Sequence, residues 1–220
     1  MLSLQGVSKW YQRDRPAVRD VTLRVRPGEI FGFLGPNGAG KTTTIKMIAG
    51  LLRPDSGTIT VNGRDVVRDP IGAKAQIGYV PDTAVLYDRL TGLEHLELVA
   101  DVRRIRREAR TERVRELAAL LAEPALLILD EPMVGLDPKS NHRLKQLMRA
   151  YCEAGRTVFF STHILDVAER LCDRVGIIKS GRLIAVGTLD ELRSAGRDDA
   201  TLESIFLELT EEPAPEAAER

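Results

Sequence analysis

The chain has 220 residues and no net formal charge, with 32 basic and 32 acidic side chains. This length suits one α/β domain with a small appendage, and the balanced charge gives no reason to expect a nucleic-acid partner. The apolar runs are too short to cross a bilayer, so we expect any membrane association to come through a partner protein.

The first part of the chain alternates short apolar segments that predict strands. These lie at Leu2–Val7, Val21–Val25, Ile30–Leu34, Thr58–Val61 and Ile77–Val80. From Leu90 to Ala122 the pattern becomes helical and charged.

In the second part of the chain, strands and helices alternate, which predicts a largely parallel sheet. Cys152 and Cys172 have no metal-ligand spacing and are expected to be reduced packing residues. The expected strands are 126–129, 157–161, 175–178 and 182–186, and the expected helices are about 138–153, about 164–172, one from 189 and one around 202–209.

Residues 35–42 read Gly-Pro-Asn-Gly-Ala-Gly-Lys-Thr and fit the phosphate-binding pattern G-x-x-x-x-G-K-[ST]. Gly38 and Gly40 allow successive backbone N–H groups to point into one concavity, where they bind phosphate oxygens. Lys41 brings a positive charge to the β- and γ-phosphates, and the Thr42 hydroxyl can ligate Mg²⁺. Because a strand enters this loop and a helix leaves it, we predict a nucleoside triphosphate site rather than a chance turn.

A second candidate site follows the aliphatic strand at 126–129, where Asp130 and Glu131 stand side by side. The C-terminal end of a strand is where an α/β sheet binds its ligands. Asp130 suits the Mg²⁺ shell, and Glu131 can orient or deprotonate an attacking water. Many strands end in acidic turns, so this interpretation depends on the phosphate loop.

His163 directly follows the apolar strand at 157–162, on the edge where the first two sites are expected. A lone histidine is usually a surface residue or a satisfied core residue. From spacing alone, that interpretation and a hydrogen-bonding role near the γ-phosphate are both open.

Together these residues resemble the ATP-binding subunits of ABC transporters over nearly the whole chain. Residues 35–42 resemble their Walker A loop, Leu126–Asp130 their Walker B strand and Gly135–Asp137 their D-loop. The segment Thr201–Thr210 resembles the multidrug and antibiotic export branch. The resemblance implies an α/β P-loop NTPase fold: an ABC-ATPase-like core, a flanking antiparallel β subdomain and a helical subdomain.

The resemblance also implies roles for single residues. Glu131 matches the catalytic glutamate and His163 the switch histidine, with Lys41 as the third catalytic residue. Tyr11 matches an aromatic residue that stacks on adenine, although Trp10 beside it leaves the register open. ATP and Mg²⁺ are the implied cofactors. The implied nucleotide contacts are Tyr11, Gly35, Pro36, Asn37, Gly38, Ala39, Gly40, Lys41, Thr42 and Thr43, and the implied metal ligands are Thr42, Asp130 and Asp82.

Three departures from the family pattern bear on function. Met133 replaces a common Thr or Ser and is expected to matter little. Asp82 replaces the glutamine that senses Mg²⁺ and couples to the permease, so it keeps an oxygen ligand but adds a negative charge. Finally, no Leu-Ser-Gly-Gly-Gln signature stands between Asp82 and Asp130, and we infer a deletion joined at or near Leu117–Leu121.

This absence shortens the helical subdomain, expected at about 83–122 within a nucleotide-binding domain at 1–210, before a disordered acidic tail at 211–220. In the family, two subunits pair head to tail, and each ATP lies between one Walker A loop and the other subunit's signature. The chain is therefore expected to bind ATP but to hydrolyse little of it alone.

The expected partners are a membrane permease and a second ATPase subunit, identical or different, which would hold the chain on the cytoplasmic face of the membrane. A non-catalytic ATP-binding regulatory subunit is the alternative. Glutamates interleave with the arginines of Arg103–Arg115 without aromatic residues, so this stretch predicts a solvated or permease-docking helix rather than a nucleic-acid surface. A GTPase would need an Asn-Lys-x-Asp motif, which the chain lacks.

Overall fold

The computed structural model describes residues 1–12, 15–83, 91, 94, 98, 101–102, 124–194 and 201–210. Most of the predicted helical subdomain, the arginine-rich stretch, the inferred join and the acidic tail lie outside these described residues. Within them, no helix is both long and apolar enough to cross a membrane.

An antiparallel sheet with the order β2-β1-β4-β5 forms one layer of the described structure. Its strands are β1 (Leu2–Gln12), β2 (Arg15–Val25), β4 (Ser56–Val61) and β5 (Arg64–Asp65). The sequence predicted shorter first and second strands. Register shifts in β1 and the positive φ of Gly6, 59°, interrupt the alternation of apolar residues there, so the pattern hides strands that the pairing continues.

A second sheet, with the order β10-β9-β3-β8-β7-β6, forms the core of the described structure. Its strands are β3 (Ile30–Leu34), β6 (Ile77–Val80), β7 (Leu126–Asp130), β8 (Thr157–Thr162), β9 (Arg174–Lys179) and β10 (Arg182–Gly187). All neighbouring pairs are parallel except β9 and β10. The prediction of a largely parallel sheet is confirmed.

The described helices cover both faces of this sheet. They are α1 (Lys41–Ile48), α2 (Pro70–Lys74), α3 (Pro138–Glu153), α4 (Leu165–Leu171), α5 (Leu189–Ser194) and α6 (Leu202–Thr210). The start of α3 is set by its sequence, because Asp137 accepts hydrogen bonds from the N–H groups of Lys139 and Ser140 and Pro138 fills the first helical position. The short helix α2 was not predicted.

The central strands β3, β7 and β8 are buried along their whole length, which explains their unbroken apolar runs. Phe31 stacks on Phe159 at 5.6 Å between ring centroids and fixes β3 beside β8. Cys152 and Cys172 are free, as expected, and burial raises the pKa of the Cys152 thiol to about 11. This packing brings the C-terminal ends of β3, β7 and β8 to one edge of the sheet.

Candidate nucleotide-binding site

The phosphate loop lies between β3 and α1, as predicted, and it is tightly packed from behind. A Cβ atom at Gly35 would clash with the carbonyl oxygen of Ile178, and one at Gly40 would lie 2.5 Å from that of Ala17. Gly38 has open space around it, but its φ of 78° favours glycine. A side chain at position 35 or 40 would therefore have no room, and the backbone conformation favours glycine at positions 38 and 40.

Lys41 is the first residue of α1 and its side chain is buried. Its Nζ donates hydrogen bonds to the carbonyl oxygens of Gly35 at 2.7 Å and Pro36 at 3.4 Å. The same Nζ lies 3.3 Å from Oε1 of Glu131. A buried ammonium is thus held at the mouth of the loop by partners that a phosphate oxygen can replace.

Glu131 is the first residue after β7, and its φ of 49° is unusual for a residue other than glycine. Its Oε2 lies 2.9 Å from Nδ1 of His163, which follows β8. The carboxylate therefore contacts Lys41 with one oxygen and His163 with the other. The fold brings together the three side chains that the sequence predicted to be catalytic.

Asp130 ends β7 and is only 1% exposed. Its Oδ1 accepts a hydrogen bond from the Ser161 hydroxyl at 2.5 Å, whereas its buried Oδ2 has no hydrogen-bond partner among the described residues. Such an oxygen is costly to bury unless another group satisfies it. A carboxylate oxygen is a ligand that Mg²⁺ prefers, so the orphaned Oδ2 fits the predicted metal role.

Ser161 is a site residue that the sequence analysis missed. Its Oγ donates to Asp130 and also accepts a hydrogen bond from the N–H of Glu131 at 2.9 Å. One buried hydroxyl thus positions both acidic residues. The available signal was its place on β8, two residues before His163, but only the pairing of Asp130 with Ser161 across β7 and β8 makes the contact visible.

Replacing Ser161 by alanine is expected to destabilise the fold by about 1–3 kcal/mol, because the buried Asp130 carboxylate and the partly buried N–H of Glu131 both lose their partner. Ser140→Ala is the matched control. The Ser140 hydroxyl also donates to an aspartate, Asp137, at 2.5 Å, but that pair is exposed, so we expect a loss within about 0.5 kcal/mol. Urea unfolding of both variants measures the difference, and equal losses would contradict the role of Ser161.

A cavity of about 740 Å³ opens in front of the phosphate loop. Tyr11, 62% exposed, borders it together with Pro36–Ala39, whereas the backbone N–H of Trp10 donates to Asp55. Tyr11 therefore borders the same cavity as the phosphate loop. Basic residues to which no motif in the sequence pointed also border this cavity: Arg15, Arg19, Lys179 and Arg182.

Asp82 is exposed beyond the end of β6, and its Oδ1 accepts a hydrogen bond from the N–H of Thr83 at 2.7 Å. Burial raises the pKa of the nearby Tyr79 to about 12, with smaller contributions from the negative charges of Asp130 and Asp82. Asp82 follows β6 and Asp130 ends β7, its parallel neighbour, so both carboxylates lie near the same edge of the sheet. In the part of the chain that the structure describes, no group of three or more His, Cys, Asp or Glu side chains could hold a metal ion. Mg²⁺ commonly completes its shell with substrate phosphates and water, so this finding is compatible with the predicted role.

Comparisons with known proteins agree with this geometry. A family profile described as ABC transporter matches residues 18–119. The chain is 39% identical over 243 residues to the ABC-type transporter ATP-binding protein EcsA of Bacillus subtilis (strain 168), covering 97% of this chain and 98% of EcsA. It is 37% identical over 222 residues to the daunorubicin/doxorubicin resistance ATP-binding protein DrrA of Streptomyces peucetius, covering 88% of this chain and 67% of DrrA.

The fold comparison leads to the same family. A solved structure of an ATP-binding subunit of an ABC transporter superposes with a TM-score of 0.85 at 35% identity, covering 96% of this chain and 100% of that one. The sequence-based expectations of an ABC-ATPase-like fold and of ATP as ligand are confirmed. The chain belongs to the family of ABC transporter ATP-binding proteins, the ATPases whose activity is coupled to transport.

Proposed function

We propose that this chain is the ATP-binding subunit of an exporter and that it acts with a separate permease on the cytoplasmic face of the membrane. The observation that carries the ATP-binding part of this proposal is the continuous contact from the phosphate loop through Lys41 and Glu131 to His163. The similarity to DrrA, a drug-resistance ATP-binding protein, supports the export direction.

Each side chain has a role that its contacts support. Lys41 binds the β- and γ-phosphates, and backbone N–H groups of the loop hold their oxygens. Glu131 orients or deprotonates the attacking water, and His163 fixes the Glu131 carboxylate and donates a hydrogen bond near the γ-phosphate. Tyr11 stacks on the adenine at the open end of the cavity.

The metal site would be held by Asp130 and Thr42, with Asp82 as a further oxygen ligand. The unsatisfied buried Oδ2 of Asp130 supports this assignment. When bound, Mg²⁺ supplies positive charge that neutralises the phosphates. The chain's own contribution is to keep Asp130 fixed through Ser161 and to keep it apart from bulk water.

Two observations support the inferred loss of the signature segment. The alignment with EcsA runs over 243 residues although this chain has 220, so at least 23 residues of EcsA (243 − 220) lie opposite a gap. The match to the family profile ends at residue 119, inside the join inferred at Leu117–Leu121. A profile match is expected to stop where the next family segment is missing.

A homodimer of this chain would therefore have two incomplete ATP sites, each with a Walker A and B half and no signature half. Pairing with a different, signature-bearing ATPase would complete one site, with the second half of the clamp on the γ-phosphate coming from the partner. The missing signature equally favours a second candidate function, a regulatory subunit that binds ATP without hydrolysing it.

Mg-ATP binding tests the assignment of the site. We expect saturable ATP binding that Mg²⁺ strengthens, and we expect Asp130→Asn to remove that strengthening, lowering affinity by about tenfold, because the buried oxygen ligand loses its charge. Asp190→Asn is the control, since Asp190 is an exposed carboxylate in the first turn of α5. Calorimetric titrations with and without EDTA measure the effect. An ATP affinity that changes neither with Mg²⁺ nor with the Asp130 substitution would contradict the metal assignment.

A further inference from the structure

The turn between β9 and β10 borders the same cavity as the phosphate loop. Lys179 pairs with Arg182, so Ser180 and Gly181 form a two-residue hairpin loop, with φ of 48° and 77°. Positive φ at both central residues is the pattern of a type I′ turn, which matches the twist of its strands. The turn type explains why Ser and Gly stand at positions 180 and 181. It does not explain why the turn packs against the phosphate loop.

The backbone of Gly181 joins two parts of the nucleotide site. Its N–H donates to the carbonyl oxygen of Ala39 in the phosphate loop at 2.9 Å, and its carbonyl oxygen accepts from the N–H of Arg19 at 2.8 Å. Arg19 belongs to β2, which pairs with β1, the strand that carries Tyr11. One residue thus links the phosphate loop to the subdomain that holds the aromatic residue.

The first of these bonds fixes the direction of a loop N–H group. The peptide between Ala39 and Gly40 is trans, so its carbonyl and its N–H point in opposite directions. Anchoring the Ala39 carbonyl to the turn therefore directs the Gly40 N–H away from the turn. Gly40 has a φ of 107° and, as glycine, has many other conformations available, so an external anchor is needed to select this one.

Close contacts make the anchor rigid. A Cβ atom at Gly181 would lie 2.8 Å from the Ala17 carbonyl oxygen, and one at Gly40 would lie 2.5 Å from the same atom. The turn, β2 and the loop therefore meet around Ala17 with no room for an added methyl group. A displacement of the turn would have to move the loop or break the bond to Ala39.

We propose that Gly181 is a positioning residue for nucleotide binding: its N–H holds the Ala39 carbonyl and so presets the Gly40 N–H for a phosphate oxygen. The role rests on the proposed nucleotide site and deepens it. The β9–β10 turn thus contributes to ATP affinity through its backbone, since Gly181 has no side chain that could contact the ligand.

Gly181→Ala tests this role, with Gly63→Ala as a matched control. Gly63 lies in another two-residue hairpin loop, between β4 and β5, where Asn62 and Gly63 have φ of 49° and 77°. The added methyl group meets the same backbone strain there, but nothing lies within 4 Å of it. We expect Gly181→Ala to weaken Mg-ATP binding by about tenfold or more and Gly63→Ala by less than about twofold.

Inorganic tripolyphosphate separates a defect at the phosphates from a defect at the adenine end of the site, and a urea unfolding curve of each variant measures any general loss of stability. Because the proposed defect lies at the phosphates, Gly181→Ala should weaken the binding of tripolyphosphate and the binding of ATP by the same factor. If Gly181→Ala fails to fold, Gly181→Asn replaces it, since asparagine tolerates positive φ but still places a Cβ atom against Ala17.

Each outcome separates the proposals. Equal losses in the Gly181 and Gly63 variants, or a loss for ATP without one for tripolyphosphate, would overturn the positioning role. Lys41→Ala is measured in the same titration: if it weakens binding about a hundredfold while Gly181→Ala weakens it no more than Gly63→Ala does, only the role of Gly181 fails. If Lys41→Ala leaves binding intact, the assignment of the nucleotide site fails as well.

Discussion

ATP affinity is expected to fall about a hundredfold when Lys41 is replaced by alanine, equivalent to about 2.7 kcal/mol. The ammonium is buried and sits at the mouth of the loop, so its contacts with phosphate are formed with little competition from water. Its present partners, the carbonyls of Gly35 and Pro36 and the Glu131 carboxylate, would be left without it.

The control for this change is Lys46→Ala. Lys46 lies on the same helix, α1, but is exposed in its last turn, where alanine is a good helix former. Titration of both variants with a fluorescent ATP analogue compares the loss of a buried lysine that binds phosphate with the loss of an exposed lysine. A thermal unfolding scan of each variant confirms that the protein is folded. Unchanged affinity in folded Lys41→Ala would contradict the Walker A assignment.

The sequence predicted those features of the site that local patterns encode. The loop at 35–42, the strand before Asp130 and the position of His163 each depend on residues adjacent in the chain, and the structure places Lys41, Glu131 and His163 in contact. Parallel strands end at the same sheet edge, so chain order was enough to predict that these residues would meet.

The remaining features depend on contacts between distant segments. Ser161 acts on Asp130 across neighbouring strands, and Gly181 acts on Ala39 from a turn far along the chain. Nothing in the local pattern of a Ser-Gly turn distinguishes a hairpin connection from a support for the phosphate loop. The ends of β1 and β2 were missed for a related reason, since pairing between strands extends them past irregular register.

Hydrolysis by the chain alone is expected to be at least about a hundredfold slower than with a signature-bearing partner. Loss of a single preorganised donor to a developing charge commonly costs about 10²–10³ in rate, and the missing signature supplies several such donors. Phosphate release from the purified chain, with and without a signature-bearing ABC ATPase, measures the difference. Glu131→Gln in this chain should abolish the gained activity while leaving ATP binding in place.

Inserting a signature into this chain tests whether low turnover results from the missing segment itself or from the absence of a signature-bearing partner. A signature-bearing segment of an ABC ATPase is placed between Leu117 and Leu121, and a scrambled signature in the same insertion serves as control. Two inserted chains can complete both sites of a homodimer, so turnover should rise only with the intact signature and should vanish with Glu131→Gln. Rapid turnover by the unmodified chain would show that its Walker A and B motifs hydrolyse ATP without a signature. That result would contradict the claim that the chain carries only half of a hydrolysis site. A third outcome is that neither the partner nor the insertion raises turnover while Mg-ATP still binds. In that case the contacts of Lys41, Glu131 and His163 serve nucleotide sensing, and the chain is a regulatory subunit rather than an ATP-hydrolysing transporter subunit.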